Sequence, residues 1–181
     1  AAVARAAADL SPEGAIAILA GSGNNGGDAF AAAAILKQQR REVAVYALSP
    51  RSHLSGDARV MAEEWTGPVG SLEAFAPDGF SLVIDGLFGA GLSRDVEGAA
   101  SAAIRRLNGG NCRVLAIDLP SGVSGDDGQV KGAAVKADRT VTFFRRKPGH
   151  LLQPGRRLCG EIEVADITTL ALDAIVNAAN E

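Results

Sequence analysis

The chain predicts an α/β fold built on a doubly wound, largely parallel sheet, and three observations carry that expectation. Apolar runs of strand length alternate along the sequence with alanine-rich or amphipathic runs of helix length. Three of the strands run into loops that carry glycines, amides and carboxylates, the composition with which open parallel sheets build sites at their carboxyl edge. With 181 residues, 47% of them apolar, the chain can bury one core of ordinary size. No internal repeat or flexible linker divides it, so one domain is expected.

Taken in order, residues 1–10 read as the end of an alanine-rich helix, stopped by Ser11-Pro12-Glu13-Gly14. Residues 15–20 form the first strand. Gly21-Ser22-Gly23-Asn24-Asn25-Gly26-Gly27-Asp28 is a tight glycine turn that opens a helix running to about Arg41. Residues 42–48 make a second strand, ending at Ser49-Pro50, and Ser55-Gly56-Asp57 caps a short helix through Trp65. Past Gly67-Pro68 the signal is weak until residues 80–84, a buried-type strand that ends at Asp85. A glycine-dotted loop, residues 85–95, leads to a helix over 99–107, stopped by Asn108-Gly109-Gly110-Asn111. Residues 113–117 form a buried strand ending at Asp118, and two more strands follow at 139–144 and 161–164.

Composition excludes several function classes. A net charge of -3 and 4% aromatic residues do not make a nucleic-acid surface. No apolar stretch has the length of a membrane span, and Cys112 and Cys159 lack metal-ligand or CxxC spacing, so a reduced, cytoplasmic chain without nucleic-acid or membrane partners is expected. The helix-like start, with Arg5 and Asp9 among alanines, reads as cut from a larger protein. Arg145-Arg146-Lys147 and Arg156-Arg157 read as a solvated face; Arg145 and Lys147 serve equally well as phosphate contacts. His53 and His150 sit in loops without a ligand partner and read as surface or turn residues. Trp65 and Phe75 read as the periphery of the core.

The chemistry lies in the three strand ends. A phosphate cradle offers glycines, Lys and hydroxyls, whereas Asn24, Asn25 and Asp28 would repel an anion and suit hydroxyls, amides or a cation. Taken singly, Asp28 favours the positive end of its helix, and Asp85 and Asp118 fix their own turns. Three polar strand ends on one sheet edge argue for a site. An Arg in the glycine-rich loop, Arg94 between Ser93 and Asp95, is well placed for a pyrophosphate.

The motifs Gly23-Asn24-Asn25-Gly26-Gly27-Asp28, Asp85-Gly86-Leu87-Phe88-Gly89-Ala90-Gly91 and Ala116-Ile117-Asp118-Leu119-Pro120-Ser121-Gly122 come in that order, followed by Ala137-Asp138-Arg139-Thr140-Val141-Thr142-Phe143 and Lys147. Together they resemble the NAD(P)H-hydrate epimerase family over roughly residues 15–167, nearest to the epimerase half of bacterial bifunctional enzymes. The resemblance implies a three-layer Rossmann-like fold and an isomerase of cofactor repair. Such an enzyme interconverts the R and S forms of NADH or NADPH hydrated at C6 of the reduced ring, and an ADP- or ATP-dependent dehydratase consumes the S form. By position it implies substrate contacts from Asn24, Asn25, Gly26, Gly27 and Asp28, from Gly89, Ala90, Gly91, Leu92, Ser93, Arg94 and Asp95, and from Asp118. It also implies one potassium ion per subunit at Asn25, Asp85 and Ser121, and a homodimer.

The residue types agree with those assignments. One carboxylate with an amide oxygen and a hydroxyl or carbonyl suits a monovalent cation better than a divalent one. Inverting a hydrated carbon moves protons, so a strand-end carboxylate is a sensible acid-base group; Asp118 is the first candidate and Asp28 the second, with a raised pKa expected for such a carboxyl beside other acids.

Two stretches depart from the family. The helices that precede its first strand are mostly missing, so residues 1–167 read as an epimerase domain shortened at its start. Residues 168–181 form an atypical tail that resembles the opening of a macro domain, too short for that module's pocket, and reads equally as an amphipathic closing helix. The rival functions are a nucleotide-binding module that has lost catalysis and an NAD(P)-dependent oxidoreductase. The oxidoreductase is weakened because Gly21, Gly23 and Gly26 satisfy a dinucleotide fingerprint while Asn24, Asn25 and Asp28 do not suit a pyrophosphate.

Overall fold

A computed structural model of the chain describes residues 1–165, so the tail at 168–181 and the end of the family resemblance at 166–167 lie outside the described residues. The elements are α1 (Ala2–Leu10), β1 (Ile16–Ala20), α2 (Asn24–Gln38), β2 (Val43–Ala47), α3 (Gly56–Glu63), β3 (Val69–Ser71), β4 (Leu82–Gly86), α4 (Gly98–Gly109), β5 (Arg113–Ile117), β6 (Arg139–Phe143), α5 (Gly155–Leu158) and β7 (Glu161–Ala165). Every strand pair described is parallel, in the order β3-β2-β1-β4-β5-β6-β7.

Alternation along the strands feeds two core layers. Ile16, Ile18 and Ala20 point with Ile84, Leu115, Ile117 and Val141 to the face covered by α1 and α2, where Phe30 and Leu36 pack. Ala17, Leu19, Val83 and Val114 point to the opposite face, against Ile104 and Leu107 of α4 and against Phe75. The alanine-rich helices bring backbone close to backbone. A side chain on Gly27 of α2 would stand 2.8 Å from the Cα of Ala58 in α3. These helix, sheet and helix layers make the three-layer, Rossmann-like fold. Trp65 and Phe75 are buried in it, 2% and 1% exposed, and do not lie at its rim.

Strand order reverses between β1 and β4. The chain leaves β1 toward β2 and β3, then crosses back to lay β4 on the other side of β1, which opens a crevice at their carboxyl ends. The turn after β1, the loop after β4 and the segment after β5 all emerge at this edge.

Local differences from the expectations have physical causes. The edge strand β3 is too short and too weakly patterned, at Val-Gly-Ser, to register as a period of two, yet its three residues pair with Val45–Ala47. Ser55 precedes α3 but makes no side-chain cap bond; Gly56 turns the chain instead, with φ +54. Asp85 does not end its strand. It sits within β4 beside Leu19 and Ala116, deep in the sheet. No helix among the described residues is long and apolar enough to cross a membrane.

Candidate functional site

Asp118 follows β5 directly, and its backbone takes a left-handed φ of +65 that non-glycine residues seldom adopt. The N–H of Asp118 donates to Val141 of β6 at 2.7 Å, and the N–H of Leu119 donates to Ile117 at 2.9 Å, closing a tight turn around it. That turn lifts the carboxylate to the sheet edge. Oδ2 accepts from the Ala90 N–H at 3.0 Å, and Oδ1 accepts from the Thr142 hydroxyl at 3.0 Å and from the Lys147 ammonium at 2.5 Å. Lys147 also donates to the Thr142 hydroxyl at 2.7 Å and to the Phe143 carbonyl at 3.1 Å, so its three protons all have partners.

This geometry corrects the expected electrostatics. Burial pushes the Asp118 carboxyl up, but the Lys147 hydrogen bond and charge, aided by Ala90 and Thr142, outweigh it and hold the group below its usual range. Of the two acid-base candidates, the raised one is Asp28. Burial first, and the Asp118 charge second, push it up to about 6. Asp28 lies in the second turn of α2, so the helix dipole is not what it serves, and its side chain has no hydrogen-bond partner among the described residues.

Asp85 is fully buried. It accepts from the Ser121 hydroxyl at 2.6 Å, the Ser121 N–H at 2.8 Å and the Leu87 N–H at 3.3 Å. Burial still pushes its carboxyl up to about 6 against those bonds, and no basic side chain among the described residues touches it. Asn25, 9% exposed, has a side-chain amide nitrogen without a partner. Carboxamide O and N are assigned by their surroundings, so the opposite rotamer puts an unbonded oxygen at that buried position. A buried anion without a countercharge, a hydroxyl bonded to it and a spare carboxamide fit a cation with oxygen ligands. Among the described residues no three His, Cys, Asp or Glu side chains converge, and a donor set with one carboxylate matches a monovalent ion.

Gly89 ties the two halves together. A Cβ on it would stand 3.0 Å from Asp118 Oδ2 and 3.3 Å from Asn25 Oδ1, so both side chains face the same point and a side chain there would crowd both. The glycines of the first turn have another duty. A Cβ on Gly26 would fall 2.0 Å from the carbonyl oxygen of Gly21, so Gly26 and Gly27 are buried packing positions that offer a ligand main chain alone. Gly89, Ala90 and Leu92 are half-buried at the crevice. Asn24, Gly91, Ser93, Arg94 and Asp95 are exposed at its rim, and the last three make no hydrogen bond to the buried cluster.

Sequence reasoning underrated the turn after β6. Lys147 is no solvated cation but the ion-pair partner of Asp118, and Thr142 stands between them. His150 is not a surface residue. It is fully buried, accepts the Lys147 N–H on Nδ1 at 2.9 Å, and meets the Asp118 carbonyl with Nε2 at 2.7 Å. The available signal was the Pro148-Gly149 turn, which returns the side chain three residues after Lys147 to the same place.

The chain is 40% identical over 154 residues to the NAD(P)H-hydrate epimerase of Limosilactobacillus fermentum, covering 83% of this chain and 74% of that protein. It is 38% identical over 162 residues to the bifunctional NAD(P)H-hydrate repair enzyme Nnr of Thermofilum pendens, where the match takes in 84% of this chain but 31% of the relative. The crystal structure of yeast ynu0 superposes with a TM-score of 0.71 at 21% identity, over 82% of this chain and 69% of that one, and shows the shared fold. Residues 1–149, which hold every strand end described above and the Asp118–Lys147 pair, match one family model, and the chain belongs to the family it describes as the YjeF-related protein N-terminus.

Proposed function

We propose that this chain is an isomerase that interconverts the R and S forms of hydrated NADH and NADPH, and so supplies the S form to an ADP- or ATP-dependent dehydratase. The observation that carries this reading is the ion pair of Asp118 and Lys147 at the sheet edge, with a second carboxyl of raised pKa, Asp28, coupled to it. The names borne by the relatives, NAD(P)H-hydrate epimerase and bifunctional repair enzyme, point the same way.

The carbon to be inverted carries a hydroxyl and the ring nitrogen. Asp118, held ionised by Lys147, takes the hydroxyl proton; the bond from carbon to ring nitrogen then breaks to leave an aldehyde, and Asp28 gives a proton to the nitrogen. Rotation of the aldehyde and reversal of both transfers close the ring on its other face, with no net gain or loss of protons. Asp28 and Asp118 suit this division because one environment raises a carboxyl pKa and the other lowers it. Around them, Asn24 to Asp28 and Gly89 to Asp95 would line the substrate, with the exposed Arg94 meeting its pyrophosphate. Asn25, Asp85 and Ser121 would hold one potassium ion, whose chemistry there is to offset the buried charge of Asp85. A cytoplasmic setting goes with this reading, as do the free thiols of Cys112 and Cys159.

The test mixes purified protein with the R-form hydrate and an S-specific dehydratase. Faster recovery of reduced cofactor is expected from the wild type, and none beyond background from Asp118→Asn. Binding without acceleration by the wild type would leave a binding module, and a redox change of the nicotinamide would leave an oxidoreductase.

A further inference from the structure

Behind the Asp118–Lys147 pair sits a buried group that the proton transfers do not use. We propose that His150 is a positioning residue that fixes both partners of the pair at once, by bonding the main chain of each through a single neutral imidazole; the proposal rests on the functional reading above.

Its hydrogen bonds leave no freedom of tautomer. The Lys147 N–H can only donate, so Nδ1 must accept, and the proton therefore lies on Nε2, which donates to the carbonyl of Asp118. The ring is fully buried, and burial disfavours its charged form, which would lose the acceptor.

Three bonds then close a loop through three residues. The Asp118 carbonyl joins His150 at 2.7 Å, His150 joins the Lys147 N–H at 2.9 Å, and the Lys147 ammonium returns to the Asp118 carboxylate at 2.5 Å. Asp118 gains most from this. Its φ of +65 is a disfavoured conformation that persists where surrounding bonds determine it. Val141 of β6 holds its N–H and His150 holds its carbonyl, so the direction of the carboxylate is set from both sides. On the other arm, the imidazole fixes the main chain from which the Lys147 side chain reaches back. The requirement is an acceptor and a donor held rigidly at the spacing of two ring nitrogens. Glutamine carries such a pair on its terminal amide; asparagine reaches as far as Nδ1 and no further; phenylalanine fills the volume with neither.

Three variants separate positioning from filling: His150→Gln, His150→Asn and His150→Phe. Each is assayed with the R-form hydrate and an S-specific dehydratase, and hydrogen exchange is followed at the Lys147 amide. His150→Phe is expected to lose roughly 10- to 100-fold in kcat, as misplaced reacting groups do, with KM within about threefold. His150→Gln is expected to keep kcat within about threefold of wild type and to retain protection at Lys147. His150→Asn, which keeps the Lys147 bond and drops the Asp118 bond, is expected to keep that protection and lose about tenfold in kcat, and it serves as the test if His150→Phe does not fold. Wild-type kcat in folded His150→Phe or His150→Asn would overturn the proposal, as would a glutamine variant impaired as deeply as the phenylalanine one. If the wild type does not epimerise the hydrate, the functional reading fails. Lys147 exchange still decides the inference, because unchanged protection in His150→Phe, or protection lost in His150→Gln, would remove the bond on which it stands.

Discussion

The ammonium of Lys147 reaches the carboxylate of Asp118 at 2.5 Å and spends its other two protons on Thr142 and the Phe143 carbonyl. A lysine bonded in this way is a fixed countercharge rather than a mobile one. Removing it leaves a largely buried carboxyl with only Ala90 and Thr142 as donors, and burial then raises its pKa. Lys147→Met is expected to lower kcat by about 10²-fold and to move the acidic limb of the kcat pH profile to higher pH. An unmoved limb would mean that Asp118 does not owe its ionisation to Lys147.

Asp28 makes a prediction that couples stability to activity. Its carboxyl titrates near 6 in the folded chain against 3.8 as an ordinary carboxyl, so the folded state holds the proton more tightly. Folding stability from this group is therefore greatest below the unfolded value and declines as pH rises through about 6. Asp28→Asn is expected to gain about 1–3 kcal/mol at pH 7 and little at pH 4, while kcat falls by roughly 10²-fold. Denaturant unfolding at both pH values, with the coupled assay, reads both effects; equal gains at the two pH values would contradict the raised pKa.

Potassium is expected to act on stability as well as on rate. If the ion occupies the Asn25, Asp85 and Ser121 set, saturating potassium in place of choline raises the melting temperature, by about 2–4 °C per kcal/mol for a chain of this size. Asp85→Asn should abolish that increment. A potassium-dependent shift that survives in Asp85→Asn would place the ion elsewhere.

Gly89→Ala tests the convergence of the two halves. The new methyl would stand 3.0 Å from Asp118 Oδ2 and 3.3 Å from Asn25 Oδ1, closer than ordinary contact. The carboxylate or the loop must move by a few tenths of an ångström, so kcat is expected to fall at least tenfold while the melting temperature changes by only a few degrees. Wild-type turnover in this variant would mean that the two side chains do not act at one point.

Much of this was legible in the sequence because parallel strands announce themselves locally. Residues 113–117 were delimited without error, since a five-residue run bounded by Asn111 and Asp118 is long enough for a buried strand and too short for a helix. Val69–Ser71 was missed because three residues, two half-buried and Ser71 exposed, form a strand only when β2 offers them an edge. The strand-end carboxylates could be named from their positions after apolar runs, but not told apart. Which of Asp28 and Asp118 has the raised pKa depends on Lys147, 29 residues from Asp118 along the chain. His150 was illegible for a similar reason: nothing beside it in sequence says that both of its ring nitrogens will meet the main chain of the Asp118–Lys147 ion pair.

The fully parallel sheet has a consequence for how activity arises during folding. Each strand lies beside a partner distant in sequence, and the contacts of the site inherit that distance: 36 residues separate Asp85 from Ser121, and 29 separate Asp118 from Lys147. No fragment holding a single βα unit contains both members of either pair. Turnover therefore reports on the assembly of β4, β5 and β6, and in a refolding experiment it should return with the phase that joins these strands rather than with the first helical signal.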